Sequence, residues 1–109
     1  MLCLIPYYSD DLAIKIANDS MYGLGGGVWS KNLDRAHEVA AGMRTGTVWI
    51  NDYHMITPTQ PFGGYKQSGI GRELGDYGFN EYRQIKHVWQ NTSSDRSGYL
   101  HFAALSGNI

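Results

Sequence analysis

The sequence predicts an α/β fold: a βαβαβ layer of parallel strands, followed by a long loop, a short helix and a terminal β-strand. Two observations carry this expectation. Apolar residues alternate between short continuous runs and helical spacing across the first half of the chain, the pattern of strands joined by right-handed helical crossovers. Helix-capping residues also fall where that period changes.

Residues 2–8 form an apolar and aromatic run of the length of a buried strand. Ser9 and Asp10 can cap a helix, Asp11 sits in its first turn, and Leu12, Ala13, Ile16 and Ala17 would form its buried face, with Tyr22-Gly23 closing it. Residues 24–30 read as a second strand, where Gly25, Gly26 and Gly27 indicate close backbone packing rather than a ligand site. Asn32 caps the next helix, whose face is Leu33, Ala36, Val39, Ala40 and Met43. Gly46 breaks it, and Thr47-Val48-Trp49-Ile50 is a third strand rich in β-formers. After Asn51 the periodicity stops, and residues 52–71 make a long loop with Pro58, Pro61, Gly63, Gly64 and Gly69. Loops of that length inside compact domains are functional or disordered. A short helix over residues 73–82 and a strand over residues 84–89, with Ile85, Val88 and Trp89 as its apolar members, complete the pattern. The chain thus divides into residues 1–82, a strand region at 83–90 and a linker-like tail at 91–109, in which residues 99–105 regain hydrophobicity without a definite assignment.

Composition narrows the function classes. A net charge of -1 without a Lys/Arg stripe points away from nucleic acid and anionic membranes. No apolar run approaches the ~20 residues of a transmembrane helix. The first residues lack the basic flank and cleavage site of a signal peptide. Cys3 is the one cysteine, so no internal disulfide can form and a cytoplasmic location is expected. The 14 glycines, together with an opening strand that lacks a polar cap, suggest a piece of a larger protein.

No catalytic, cofactor-binding or metal-binding constellation emerges from the residues themselves. Gly69, Gly71 and Gly75 have GxGxxxG spacing rather than the dinucleotide GxGxxG, and no strand leads into them. Residues 64–69 have P-loop glycine spacing, but Ile70 stands where the lysine is required. His37, His54, His87 and His101 lack metal-ligand spacing, and only His54 lies in the long loop. Cys3, between Leu2 and Leu4, lacks the setting of a reactive thiol and reads as structural.

Three stretches are nonetheless distinctive. They are Ala17-Asn18-Asp19-Ser20-Met21-Tyr22-Gly23-Leu24, Arg44-Thr45-Gly46-Thr47-Val48-Trp49-Ile50-Asn51, and the run from Pro61 through Phe62-Gly63-Gly64-Tyr65-Lys66-Gln67-Ser68-Gly69-Ile70-Gly71-Arg72 to Glu73. In order and spacing they resemble the IANDxxYGL, RxGxVWIN and PFGGxKxSGxGRE patterns of the aldehyde dehydrogenase superfamily, and the resemblance spans roughly residues 2–89. It implies that residues 2–51 are the last βαβαβ part of a catalytic domain. Residues 52–62 would form the mouth of an aldehyde tunnel lined by Phe62, Ile56 and His54. The strand at 84–89 would join an oligomerisation arm, placing Arg72, Gln84, Ile85, Val88 and Trp89 at a subunit interface.

The family's chemistry uses a cysteine thiolate, a glutamate base and NAD or NADP, followed by thioester hydrolysis. The resemblance places those groups outside these residues, and Asn51 is not the family's oxyanion asparagine. The expectation is an NAD(P)-dependent oxidoreductase by descent, acting on an aldehyde as a homodimer or homotetramer, with no activity and no cofactor binding by this chain alone. Gln84 departs from the pattern, standing where a carboxylate commonly supports interface arginines. A non-catalytic assembly module and a small independent α/β binding domain are the alternative readings.

Overall fold

The structure, a computed structural model, describes residues 2–92, 94 and 95. Helix α1 (Asp10–Asn18) begins as its cap predicts: the Ser9 hydroxyl accepts from the Leu12 N–H at 3.2 Å, and Asp10 and Asp11 occupy the first turn. It ends at Asn18, so Tyr22-Gly23 does not close the helix. That pair forms strand β1 (Tyr22–Gly23) instead. Strand β2 (Gly25–Val28) follows, then helix α2 (Leu33–Gly42), where Asn32 Oδ1 accepts from the Arg35 N–H at 3.1 Å, and strand β3 (Thr47–Ile50).

Strands β2 and β3 are parallel, with Gly25 opposite Thr47 and Val28 opposite Ile50, and α2 is their crossover. The glycines of β2 make room for side chains that lie over them, aromatic rings at Gly25 and Gly27 and Met43 at Gly26. A Cβ on Gly25 would sit 2.7 Å from the Trp49 ring, and one on Gly27 the same distance from the Trp29 ring. Asp10 takes a two-point bond from Arg35, at 2.6 Å from Nε and 2.5 Å from Nη2, joining the first turns of α1 and α2. Those bonds hold the Asp10 carboxyl below the usual carboxylate range. The pair is solvent-exposed, so it orients the helices more than it stabilises them.

The second half departs further from expectation. Within the loop, strand β4 (Tyr65–Lys66) pairs antiparallel with β1, so the fold is α/β with mixed pairing rather than a wholly parallel layer. Helix α3 (Gly75–Glu81) starts two residues later than its apolar spacing suggests, because Glu73 is bridged to Phe62 and Leu74 has a φ of 63°, outside the helical region.

Neither outer strand forms. Residues 2–8 make no ladder, with Leu2 and Leu4 each 85% exposed and Cys3 exposed rather than packed in a strand. Residues 84–89 likewise pair with nothing among the described residues, and Ile85, Val88 and Trp89 stand exposed. The physical reason is that a strand is not a local structure. Its backbone groups need a neighbour, and neither segment finds one among the described residues. The observed unit is therefore a single βαβ with α1 packed beside it, not βαβαβ. Among the described residues Ala36 is the one fully buried hydrophobic side chain, and many large apolar side chains there stand exposed. The hydrophobic stretch at 99–105 lies outside the described residues.

Candidate functional site

Asn51 sets the direction in which the chain leaves the sheet. Its Oδ1 accepts from the Ser30 N–H at 2.8 Å and its Nδ2 donates to the Ser30 carbonyl at 2.9 Å, which closes the ends of β2 and β3 together. Both ends of the amide are thereby occupied, in keeping with a structural asparagine. With φ at 55°, Asn51 turns the backbone out of β3 and into the loop. The loop is then drawn back over the sheet, because Trp49 Nε1 donates to the Met55 carbonyl at 2.8 Å.

A cavity of about 400 Å³ lies between β3 and this returning loop, bordered by Thr47, Trp49, Met55, Ile56, Gln60 and Phe62 among others. Two of the three expected tunnel residues, Ile56 and Phe62, thus share one wall. His54 does not border that cavity. Its ring lies 5.3 Å from Tyr53 and 6.0 Å from Trp49, in an aromatic cluster that Trp29 joins at 6.4 Å from Tyr53. Trp49, Met55 and Gln60 were not singled out by sequence. The alternating faces of β3 offered a hint for Trp49, but a loop without periodicity gives none for the other two.

Phe62 is held by backbone on both sides. Its N–H donates to the Glu73 carbonyl at 2.8 Å and its carbonyl accepts from the Glu73 N–H at 2.7 Å, closing residues 62–73 into a ring. The Gly75 N–H donates to the Pro58 carbonyl at 3.0 Å, strapping the loop to the start of α3. Gly46 must be glycine, since a Cβ there would run into the Gly63 carbonyl oxygen. Arg72 turns inward across the ring: Nη1 donates to the carbonyls of Gly64 at 3.0 Å and Gly71 at 2.6 Å, and the guanidinium lies 5.4 Å from the Tyr65 ring centre. Its own N–H reaches Glu81 Oε1 at 3.3 Å. Arg72 thus bonds within its own loop and to α3, while Gln84 lies exposed beyond α3.

The three sequence motifs prove to be one clamp. Asn18 Nδ2 donates to the Gly42 carbonyl at 2.9 Å and Asn18 Oδ1 accepts from the Arg44 N–H at 2.7 Å, so the end of α1 caps the end of α2. Ser68 Oγ accepts from the Gly23 N–H at 2.9 Å, and the Gln67 N–H donates to the Met21 carbonyl at 3.0 Å. Lys66 Nζ donates to the carbonyls of Asn18 and Ser20, each at 2.9 Å. Asn18 at the last position of α1 is the one local signal for this clamp, since an asparagine at a helix end suits capping; Lys66 and Ser68 carry none. Among the described residues no group of three or more His, Cys, Asp or Glu could hold a metal, and no helix is long and apolar enough to cross a membrane.

Comparison with known proteins agrees with the motifs. The profile of the Aldehyde dehydrogenase family matches residues 1–88. Betaine aldehyde dehydrogenase of Bacillus subtilis (strain 168) is 51% identical over 92 residues, which are 84% of this chain and 19% of that protein. The crystal structure of betaine aldehyde dehydrogenase from Staphylococcus aureus in complex with NAD+ superimposes with a TM-score of 0.78 at 48% identity, covering 86% of this chain and 19% of that one. An NAD+ complex of aldehyde dehydrogenase from Bacillus cereus gives a TM-score of 0.77 at 50% identity, covering 82% and 18%. The chain spans about a fifth of the length of the relatives it matches. With the motifs, the clamp they build and these likenesses in agreement, the chain belongs to the aldehyde dehydrogenase family and is homologous to the C-terminal part of its larger enzymes.

Proposed function

We propose that this chain serves as the C-terminal part of an NAD(P)-dependent enzyme that oxidises an aldehyde to a carboxylic acid, and that it supplies one wall of the substrate passage and a strand for subunit pairing. The single observation that carries the first role is the cavity between β3 and the loop, where Ile56 and Phe62 meet on a wall held by the three motifs. A largely apolar pocket with a few polar groups is the usual form of a small-molecule site. In this reading Phe62 and Ile56 shape the passage for the aldehyde, and His54 acts at one remove through Trp49. The nucleophile, the general base and the cofactor contacts belong to other parts of the enzyme, and no cofactor contact is assigned to this chain.

The second role rests on residues 84–89, whose backbone joins no strand among the described residues and whose apolar side chains are exposed. Such an edge invites a second chain, and closure into a homodimer or homotetramer is the common solution. Arg72 and Gln84 would flank that pairing. Residues 2–8, extended and uncovered, would in the same way take their place in the sheet only against other parts of the enzyme. An independent binding domain is disfavoured by the shortage of buried apolar side chains, with Ala36 alone fully enclosed among those described.

The test is a chimaera. Residues 1–92 of this chain replace the matching stretch of the Bacillus subtilis betaine aldehyde dehydrogenase, and NADH production is followed with a panel of aldehydes that includes betaine aldehyde. An active, oligomeric chimaera, together with an isolated 109-residue chain that oxidises no aldehyde, is the expected result. A folded chimaera without activity would overturn the proposal, and so would turnover by the isolated chain.

A further inference from the structure

Lys66 stands out among the charged side chains that the proposed aldehyde passage does not use. Its backbone adopts φ of 53°, a left-handed conformation unusual for a residue with a Cβ. Its ammonium is nevertheless drawn back onto the end of α1, where it meets two carbonyls at 2.9 Å each. Those carbonyls, of Asn18 and Ser20, lie at and just beyond the negative end of the helix dipole, where a cation is favoured.

The position of Lys66 gives this contact its consequence. The ring of residues 62–73 is closed at its base by the paired bonds between Phe62 and Glu73. Its far end carries β4, which is laddered to β1, and that end is held further by Lys66 Nζ, by the Gln67 N–H on Met21 and by Ser68 Oγ beneath the Gly23 N–H. Lys66 is the one of these three anchors that spans from β4 to the helix end. Between anchor and base the chain runs through Gly63 and Gly64, with Gly63 pressed against Gly46 at the start of β3. Close packing of Gly63 on Gly46 and the Arg72 bond to the Gly64 carbonyl make this stretch stiff, so a shift at the anchor is carried to Phe62 at the cavity wall.

We infer that Lys66 is a positioning residue for substrate selection: by tying β4 to the C-terminal end of α1 it fixes where Phe62 stands in the aldehyde passage. This rests on the passage assigned above, and the two can fail separately. In the active chimaera, Lys66→Met keeps the aliphatic stem and removes the donors, whereas Lys66→Arg keeps a cation. Lys66→Met is expected to raise KM about ten-fold for the bulkier aldehydes while kcat for the smallest stays within about two-fold. Lys66→Arg should restore most of the difference. Hydrogen exchange supplies a second readout: the amides of Phe62 and Glu73 should exchange about ten-fold faster in Lys66→Met, while that of Ala13 in α1 is unchanged. Ser68→Ala, which releases the same end of the ring, should move the same aldehydes in the same direction.

Equal losses for every aldehyde would overturn the inference, as would unaltered selectivity alongside unaltered Phe62 exchange. If Lys66→Met fails to fold, Ser68→Ala and Lys66→Arg decide alone, and unchanged selectivity in both refutes it. An inactive parent chimaera would count against the passage assigned above, and the exchange measurement on the folded protein would still decide whether Lys66 holds Phe62.

Discussion

Asn18 joins the ends of both helices through one amide, and its substitution offers a sharp test of the clamp. The Nδ2 donor satisfies the Gly42 carbonyl, one of the groups a helix end leaves unpaired, and Oδ1 takes the Arg44 N–H where the chain turns toward β3. The first contact is part-buried and the second exposed, so they differ in worth. At about 1 kcal/mol for a typical net hydrogen bond, and less for the exposed one, Asn18→Ala should cost about 1–2 kcal/mol. Asn18→Asp is the more telling change. It keeps the acceptor for Arg44 but replaces the donor with a charged oxygen facing the Gly42 carbonyl, at the negative end of α2, and the cost should rise to about 2–3 kcal/mol. Amide exchange at Arg44 and denaturant unfolding, both in the chimaera, measure the local and global parts of that loss. The expected order of stability is Asn, then Ala, then Asp. An aspartate variant as stable as the original would show that the Gly42 contact contributes nothing, and the clamp argument would fail.

Three further outcomes follow from the geometry. Phe62→Ala in the chimaera should shift preference among aldehydes about ten- to hundred-fold while leaving the KM for NAD within about two-fold, because Phe62 borders the cavity and no cofactor contact is assigned to this chain. Equal losses for all aldehydes would instead mark Phe62 as structural. Val88→Pro removes a ladder donor and Ile85→Lys charges the exposed strand face, so each should lower the oligomeric mass seen by light scattering. Unchanged mass in both variants would mean that residues 84–89 are not the assembly element. The Asp10–Arg35 pair sets a pH dependence whose sign is definite. The Asp10 carboxyl is depressed by the hydrogen bonds from Arg35, so its contribution is present above the unfolded carboxylate value and is lost as pH falls through the lower folded value. A carbon-13 NMR titration should find the Asp10 midpoint below the ordinary carboxylate range and returned to it by Arg35→Ala. An unmoved midpoint in that variant would refute the assigned cause.

The sequence by itself determined what depends on a few neighbouring residues. Ser9 and Asn32 announced their helices because an N-cap is a contact across three residues. The parallel pair β2–β3 was legible because an intervening helix of that length leaves few other ways to pack. The family was legible from three motifs, although what those motifs do was not. Tertiary structure alone decided the rest. It withheld the strands expected at residues 2–8 and 84–89, since strand periodicity states a capacity and a ladder partner realises it. It paired Tyr22–Gly23 with Tyr65–Lys66 across more than 40 residues, a register with no local signature. It also placed Ile56 and Phe62 on a shared wall and turned His54 away to the aromatic cluster. In a loop without period, side-chain direction is set by single left-handed residues such as Asn51 and His54 and by long-range bonds to the sheet, none of which a pattern of apolar residues encodes.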